Sequence, residues 1–130
     1  MADSLLRTEI QVRYGDLDTL GHVNNAVYLT YFELGRVLYF RKYLPAFDAR
    51  NVRFVIARAE VDFRKSITME DNIFLETSLD SVGNTSFTFL HRITNRDGSV
   101  IYAEGKIVAV SIDENRKPTP VPDELRKLMD

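Results

Sequence analysis

Asp16, Asp18, His22, Asn24 and Asn25 fall in one short segment, Gly15-Asp16-Leu17-Asp18-Thr19-Leu20-Gly21-His22-Val23-Asn24-Asn25. Carboxylates and an imidazole are the side chains that move protons near neutral pH, and a carboxylate can also attack an activated carbonyl. An Asp in such a loop equally well caps a turn through its own side chain. The residues alone leave both roles open for Asp18. Asp16 stands two positions away, but Gly15 makes a continuing strand doubtful, so it reads as a structural or supporting group. His22 is either a base or a residue that bonds the loop backbone. Asn24 and Asn25 suit a helix N-cap, where an Asn oxygen accepts from unpaired first-turn N–H groups. Such a helix start also offers backbone donors to a developing negative charge. The chain has no cysteine and no G-x-S-x-G turn, so thiol and nucleophile-elbow chemistry find no support. No His, Asp or Glu set has metal-ligand spacing, and no metal or cofactor is expected.

Those residues need elements to position them. Ile10 and Val12 alternate with Glu9, Gln11 and Arg13, which predicts a strand over about Arg7–Tyr14. After the loop, a helix should run from about Ala26 to Leu44 and stop before Pro45. Of those 19 residues 13 are apolar or aromatic, a pattern of burial on most sides. Gly35 within it implies close approach of another backbone. Glu33 and Arg36 are spaced to pair along the helix.

The rest reads as strands. Ala59, Val61 and Phe63 share a face, as do Ile73, Leu75 and Leu79. Phe87, Phe89, His91 and Ile93 share another, with His91 read as a satisfied core residue. Gly83-Asn84 suggests a two-residue hairpin turn, Asn95–Gly98 a second turn, and Val100–Ile112 a long strand. Pro118–Pro122 reads as an extended connector before a short helix at Asp123. One helix followed by sequential strands favours an antiparallel sheet. Phe74, Leu90, Tyr102, Val108 and Val110 would then lie on the sheet's far face, which predicts a homodimer or homotetramer.

The chain has 130 residues, 45% of them hydrophobic, a size and composition that fit one domain over 1–130 with a real core. A net charge of −2 argues against a dominantly electrostatic nucleic-acid partner. The Ala26–Phe40 stretch is too short and too charged for a membrane span. With no apolar leader at the N-terminus and no cysteine, a cytoplasmic setting is expected.

The run Val12 to Leu29, with its Asp18-Thr19-Leu20-Gly21-His22-Val23-Asn24-Asn25-Ala26-Val27-Tyr28 core, resembles the signature of the 4-hydroxybenzoyl-CoA thioesterase group of hotdog proteins. Phe63-Arg64-Lys65 after a strand, Gly83–Phe87 at a hairpin and the Pro118–Pro122 ending fit the same layout. The resemblance implies an α+β hotdog fold, with an antiparallel five-stranded sheet wrapped around one long central helix. It implies hydrolysis of an acyl thioester, aryl included, to free acid and CoA. It makes Asp18 the catalytic carboxylate and the Asn25 amide the oxyanion donor, with His22 beside them and Tyr28, Arg64 and Lys65 against the substrate. The benzoyl-type enzymes carry an aromatic where Asn25 stands, a departure that bears on the acyl group and not on the amide. Their basic residues near the Gly83–Ser86 hairpin are also missing here. The expected partner is an acyl-CoA or an acyl-carrier protein. The rival readings are a hotdog hydratase or dehydratase, which would want a motif His on the helix, and a non-catalytic acyl-thioester binding module.

Overall fold

The computed structural model describes residues 4–45 and 53–129. Residues 1–3, 46–52 and 130 of the expected domain lie outside the described residues. The described chain is a hotdog fold. Strand β1 (Leu5–Ile10) leads through a single 3-10 turn at Tyr14–Asp16 into helix α1 (Asn25–Tyr43). Strands β2 (Phe54–Phe63), β3 (Ile73–Val82), β4 (Ser86–Thr94) and β5 (Ile101–Ser111) follow, then a short helix α2 (Asp123–Arg126). The sheet is antiparallel throughout, in the order β1-β3-β4-β5-β2.

Helix α1 begins where Asn24 Oδ1 accepts the Ala26 N–H at 2.9 Å. It ends with Leu44 N–H on the Phe40 carbonyl, Arg41 and Lys42 favouring the negative end of the helix dipole. Asn24 is thus the cap and Asn25 is already helical, which corrects the joint assignment. Strand β1 stops at Ile10, short of the expected Tyr14, because its partner β3 begins at the facing Ile73. The hairpin after Val82 is also different. Gly83 does not have the left-handed φ that a Gly-first two-residue turn requires, and residues 83–85 make the connection, closed by Gly83 N–H on the Ser86 carbonyl.

Gly35 has the contact expected of it. A Cβ there would collide with Thr77 Oγ1 and stand 2.7 Å from Leu75 Cδ2. Beside it lies a polar cluster within the core. Arg36 Nη1 donates to His91 Nε2 at 3.2 Å, and His91 Nδ1 lies 3.1 Å from Thr77 Oγ1. A guanidinium only donates, so Nε2 is the acceptor and Nδ1 carries the proton. The Phe32 ring stacks on the imidazole at 4.7 Å. Burial and the Arg36 charge push His91 down to about 3, so it is neutral. The expected Glu33–Arg36 pairing persists as an electrostatic attraction, while the Arg36 guanidinium turns into the core and Glu33 stays exposed. The cluster separates two apolar groups, one around Phe32, Leu75, Ile93 and Ile107, the other around Tyr39, Phe87, Phe89 and Leu125.

On the far face of the sheet, two of the five apolar side chains expected there are covered. Phe74 is covered by Arg7 and Arg96, and Tyr102 is buried beside Asp71 and Lys65. Around them stand ion pairs, Arg7 with Glu76 and both Arg64 and Arg92 with Glu104. Leu90 stays exposed on this face, and Val55, opposite Val110, joins it. Further exposed apolar side chains stand at Ile56 and Phe63 on the edge strand β2 and at Leu29, Leu34 and Val37 on α1. A helix apolar nearly all round is thus only partly covered by its own chain.

Candidate active site

The loop between β1 and α1 closes on itself. Asp18 N–H donates to the His22 carbonyl at 2.8 Å, Gly21 N–H to the Asp18 carbonyl at 3.0 Å, and Leu17 bridges to Val23. Gly21 turns the chain with φ +80°, a conformation that costs other residues steric strain. Within this loop Asp18 Oδ1 accepts the N–H groups of Leu20 at 2.9 Å and His22 at 3.2 Å. Its other oxygen has no hydrogen-bond partner among the described residues, and the side chain is exposed.

Asp16 is the opposite case. It is buried, with Oδ2 accepting the Arg13 N–H at 3.0 Å and the Tyr31 hydroxyl at 2.8 Å, and Oδ1 facing the Arg13 guanidinium at 3.3 Å. Burial opposes its ionisation, but the hydrogen bonds and the Arg13 charge outweigh it and hold the carboxyl below the ordinary Asp value. Burial and the adjacent carboxylate raise the Tyr31 hydroxyl.

Asp18, His22, Val23, Asn25, Tyr28, Phe63, Arg64, Lys65 and Ser66 line one cleft of about 190 Å³. All six residues singled out as site candidates converge there. Asn24 takes up the Ala26 N–H, while the Asn25 N–H has no acceptor among the described residues. Two residues that keep a polar group unpaired among the described residues, Asp18 a carboxylate oxygen and Asn25 its N–H, therefore line one cleft. Glu33 lines a separate groove with Glu9, Arg13 and Val37.

Of the cleft's apolar wall, Tyr28 was expected and Phe63 was not. Phe63, the last residue of β2, sets its ring edge-on to Tyr28 at 4.9 Å and is 49% exposed. The signal was its place beside Arg64-Lys65, at the end of a strand whose alternation turns it toward the helix. Arg64 Nη2 is held by Glu104 at 3.0 Å, and the Lys65 ammonium stands 5.9 Å from the Tyr102 ring centre. Val23 N–H donates to the Ile67 carbonyl at 2.8 Å and ties the helix entrance to the segment after β2.

Residues 12–128 match the family model for the thioesterase-like superfamily. The chain belongs to this superfamily. It is 28% identical over 126 residues to the acyl-CoA thioester hydrolase YbgC of Escherichia coli O6:H1, across 94% of this chain and 93% of that one. It is 27% identical over 128 residues to the long-chain acyl-CoA thioesterase FadM of Escherichia coli K12, across 96% and 97%. Among solved structures, a thioesterase from Thermus thermophilus complexed with coenzyme A and zinc is 36% identical, with 95% of each chain covered and a TM-score of 0.83.

Proposed function

We propose that this protein is an acyl-CoA thioesterase. The observation that carries the reading is one cleft lined by both Asp18, with a carboxylate oxygen unpaired among the described residues, and Asn25 at the helix N-terminus. Superfamily membership and acyl-CoA hydrolases among the relatives support it. In this reading Asp18 either attacks the thioester carbonyl, giving an anhydride that water then opens, or takes a proton from the water that attacks. The oxyanion that forms is met by the Asn25 N–H, in a position where one donor is worth ~2.7–4 kcal/mol of transition-state stabilisation. The C–S bond breaks, the acid is released and the CoA thiolate collects a proton. Two His22 groups serve different ends, the N–H steadying the Asp18 carboxylate and the ring lining the cleft.

Tyr28 and Phe63 offer the acyl group an aromatic wall, and Arg64 and Lys65 offer CoA phosphates a cationic rim. Among the described residues no helix is long and apolar enough to cross a membrane. The balanced charge supports no nucleic-acid partner, and the cysteine-free composition supports a cytoplasmic setting for a single domain. Thiol release from a panel of acyl-CoAs and acyl-carrier thioesters tests the activity. The expected result is thiol release that falls by about 10²–10⁴-fold in Asp18→Asn. A change in the acyl chain without thiol would favour a hydratase, and neither change a binding module.

Self-association belongs to the same proposal, through the edge strand β2. A ten-residue edge strand without proline, bearing exposed Val55, Ile56 and Phe63, invites pairing with another strand. A second copy there would also adjoin the cleft at Phe63. Light scattering after size exclusion should give at least a dimer at micromolar concentration, and an active monomer would overturn this.

A further inference from the structure

We propose that Asp16 is a positioning residue for the reaction, holding the Asp18 carboxylate and the Asn25 N–H in register by fastening their loop to the second turn of α1. The inference rests on the thioesterase reading above. Neither Asp16 nor Tyr31 lines the cleft, and both are buried, so neither is placed to touch substrate. A buried loop Asp often serves stability alone. Here its contacts reach both sides of the reacting pair. The carboxylate holds the Arg13 N–H before the loop and the Tyr31 hydroxyl on the helix. Its backbone carbonyl accepts the Asn24 N–H at 2.9 Å, and Asn24 caps the helix and directly precedes Asn25. Asp18 lies between these anchors, two residues beyond the first and six before the second. Loosening either anchor changes the spacing of nucleophile or base to donor, and a misplacement of about 1 Å can cost ~10²-fold in rate.

The test compares Tyr31→Phe, Asp16→Asn and Asp16→Ala with the wild-type protein, on an acyl-CoA that the wild type turns over. Expected is a kcat lower by about tenfold in Tyr31→Phe and by about 100-fold in Asp16→Ala, with Asp16→Asn between and KM within about twofold in all three. The amide proton resonances of Leu20 and His22, both bonded to Asp18 Oδ1, should shift in the same order. A lower melting temperature with kcat per folded molecule unchanged would reduce Asp16 to a structural residue and overturn the proposal, as would a raised KM at constant kcat. Tyr31→Phe removes a single hydroxyl, so it decides the matter if Asp16→Ala does not fold. Should the wild type release no thiol, the thioesterase reading fails by itself. The Leu20 and His22 resonances then still decide the positioning, and if they are unmoved in Tyr31→Phe the proposal falls.

Discussion

Two of the polar clusters that the helix meets contain a histidine. At its start, Asp18 and His22 stand in an open loop with one carboxylate oxygen unpaired. Three turns on, Arg36, His91 and Thr77 are buried and bonded to one another. In the second cluster both imidazole nitrogens are occupied, one accepting and one donating, and the ring is flanked by Phe32. Nothing is left for a ligand, and the neutral tautomer is locked. The first cluster spends its backbone donors on one oxygen of Asp18 and leaves the other. Residue type therefore says little about chemistry until the partners are counted. A satisfied buried network specifies packing, whereas an unsatisfied group at a cleft is available to a reactant.

The sharpest way to break this contrast is to fill the open side. Asn25→Pro removes the unpaired N–H at the first helical position, where proline is tolerated. It should lower kcat by about 10²–10³-fold, the usual loss for one oxyanion donor. Asn25→Ala keeps the N–H and leaves the Asn24 cap intact, so its kcat should stay near the wild-type value. Equal losses in the two variants, measured at matched melting temperatures, would transfer the role to the side chain. On the closed side, Gly35→Ala drives a methyl group into Thr77 and Leu75. A loss of about 1–3 kcal/mol in chemical denaturation is expected, from overpacking, with kcat unchanged while the protein is folded. A neutral effect would mean that the cluster yields easily.

The remaining effect is spread over several units of pH. Folded His91 titrates at about 3 against an ordinary 6.5. Between these values the unfolded chain binds a proton that the folded chain refuses. Stability is thus full above pH 6.5 and falls as pH drops toward 3, by up to about 1.4 kcal/mol per unit. Urea midpoints from pH 4 to 7 should fall less steeply in His91→Gln than in the wild type. Parallel profiles would rule out His91 as the source.

Much of this was legible in one dimension. The period-two alternation of Phe87, Phe89, His91 and Ile93 placed His91 in the core, and the Asp-x-x-Gly-His-Val-Asn-Asn run placed the cleft. What failed depended on neighbours distant in sequence. Tyr102 and Phe74 alternate like exposed apolar residues, yet Asp71, Lys65, Arg7 and Arg96 cover them from other strands and turns. Helical spacing linked Arg36 with Glu33, an attraction that remains, but spacing does not show that His91 offers Arg36 an acceptor beneath the helix. Phe63 was assigned to a strand face and not to the site because an aromatic at a strand end looks like core until the edge of the sheet is known.

The strand order has a consequence for how the cleft comes into being. β3, β4 and β5 pair with their neighbours in sequence, while β1 and β2, which flank the helix in the chain, occupy opposite margins of the sheet. Leu5 meets Ser78 and Phe54 meets Ser111, pairings that close long stretches of chain. The loop bearing Asp18 follows one margin and Phe63 terminates the other. A chain with only its central hairpins in place would carry neither wall of the cleft, so competence depends on the contacts whose loop closure costs the most entropy.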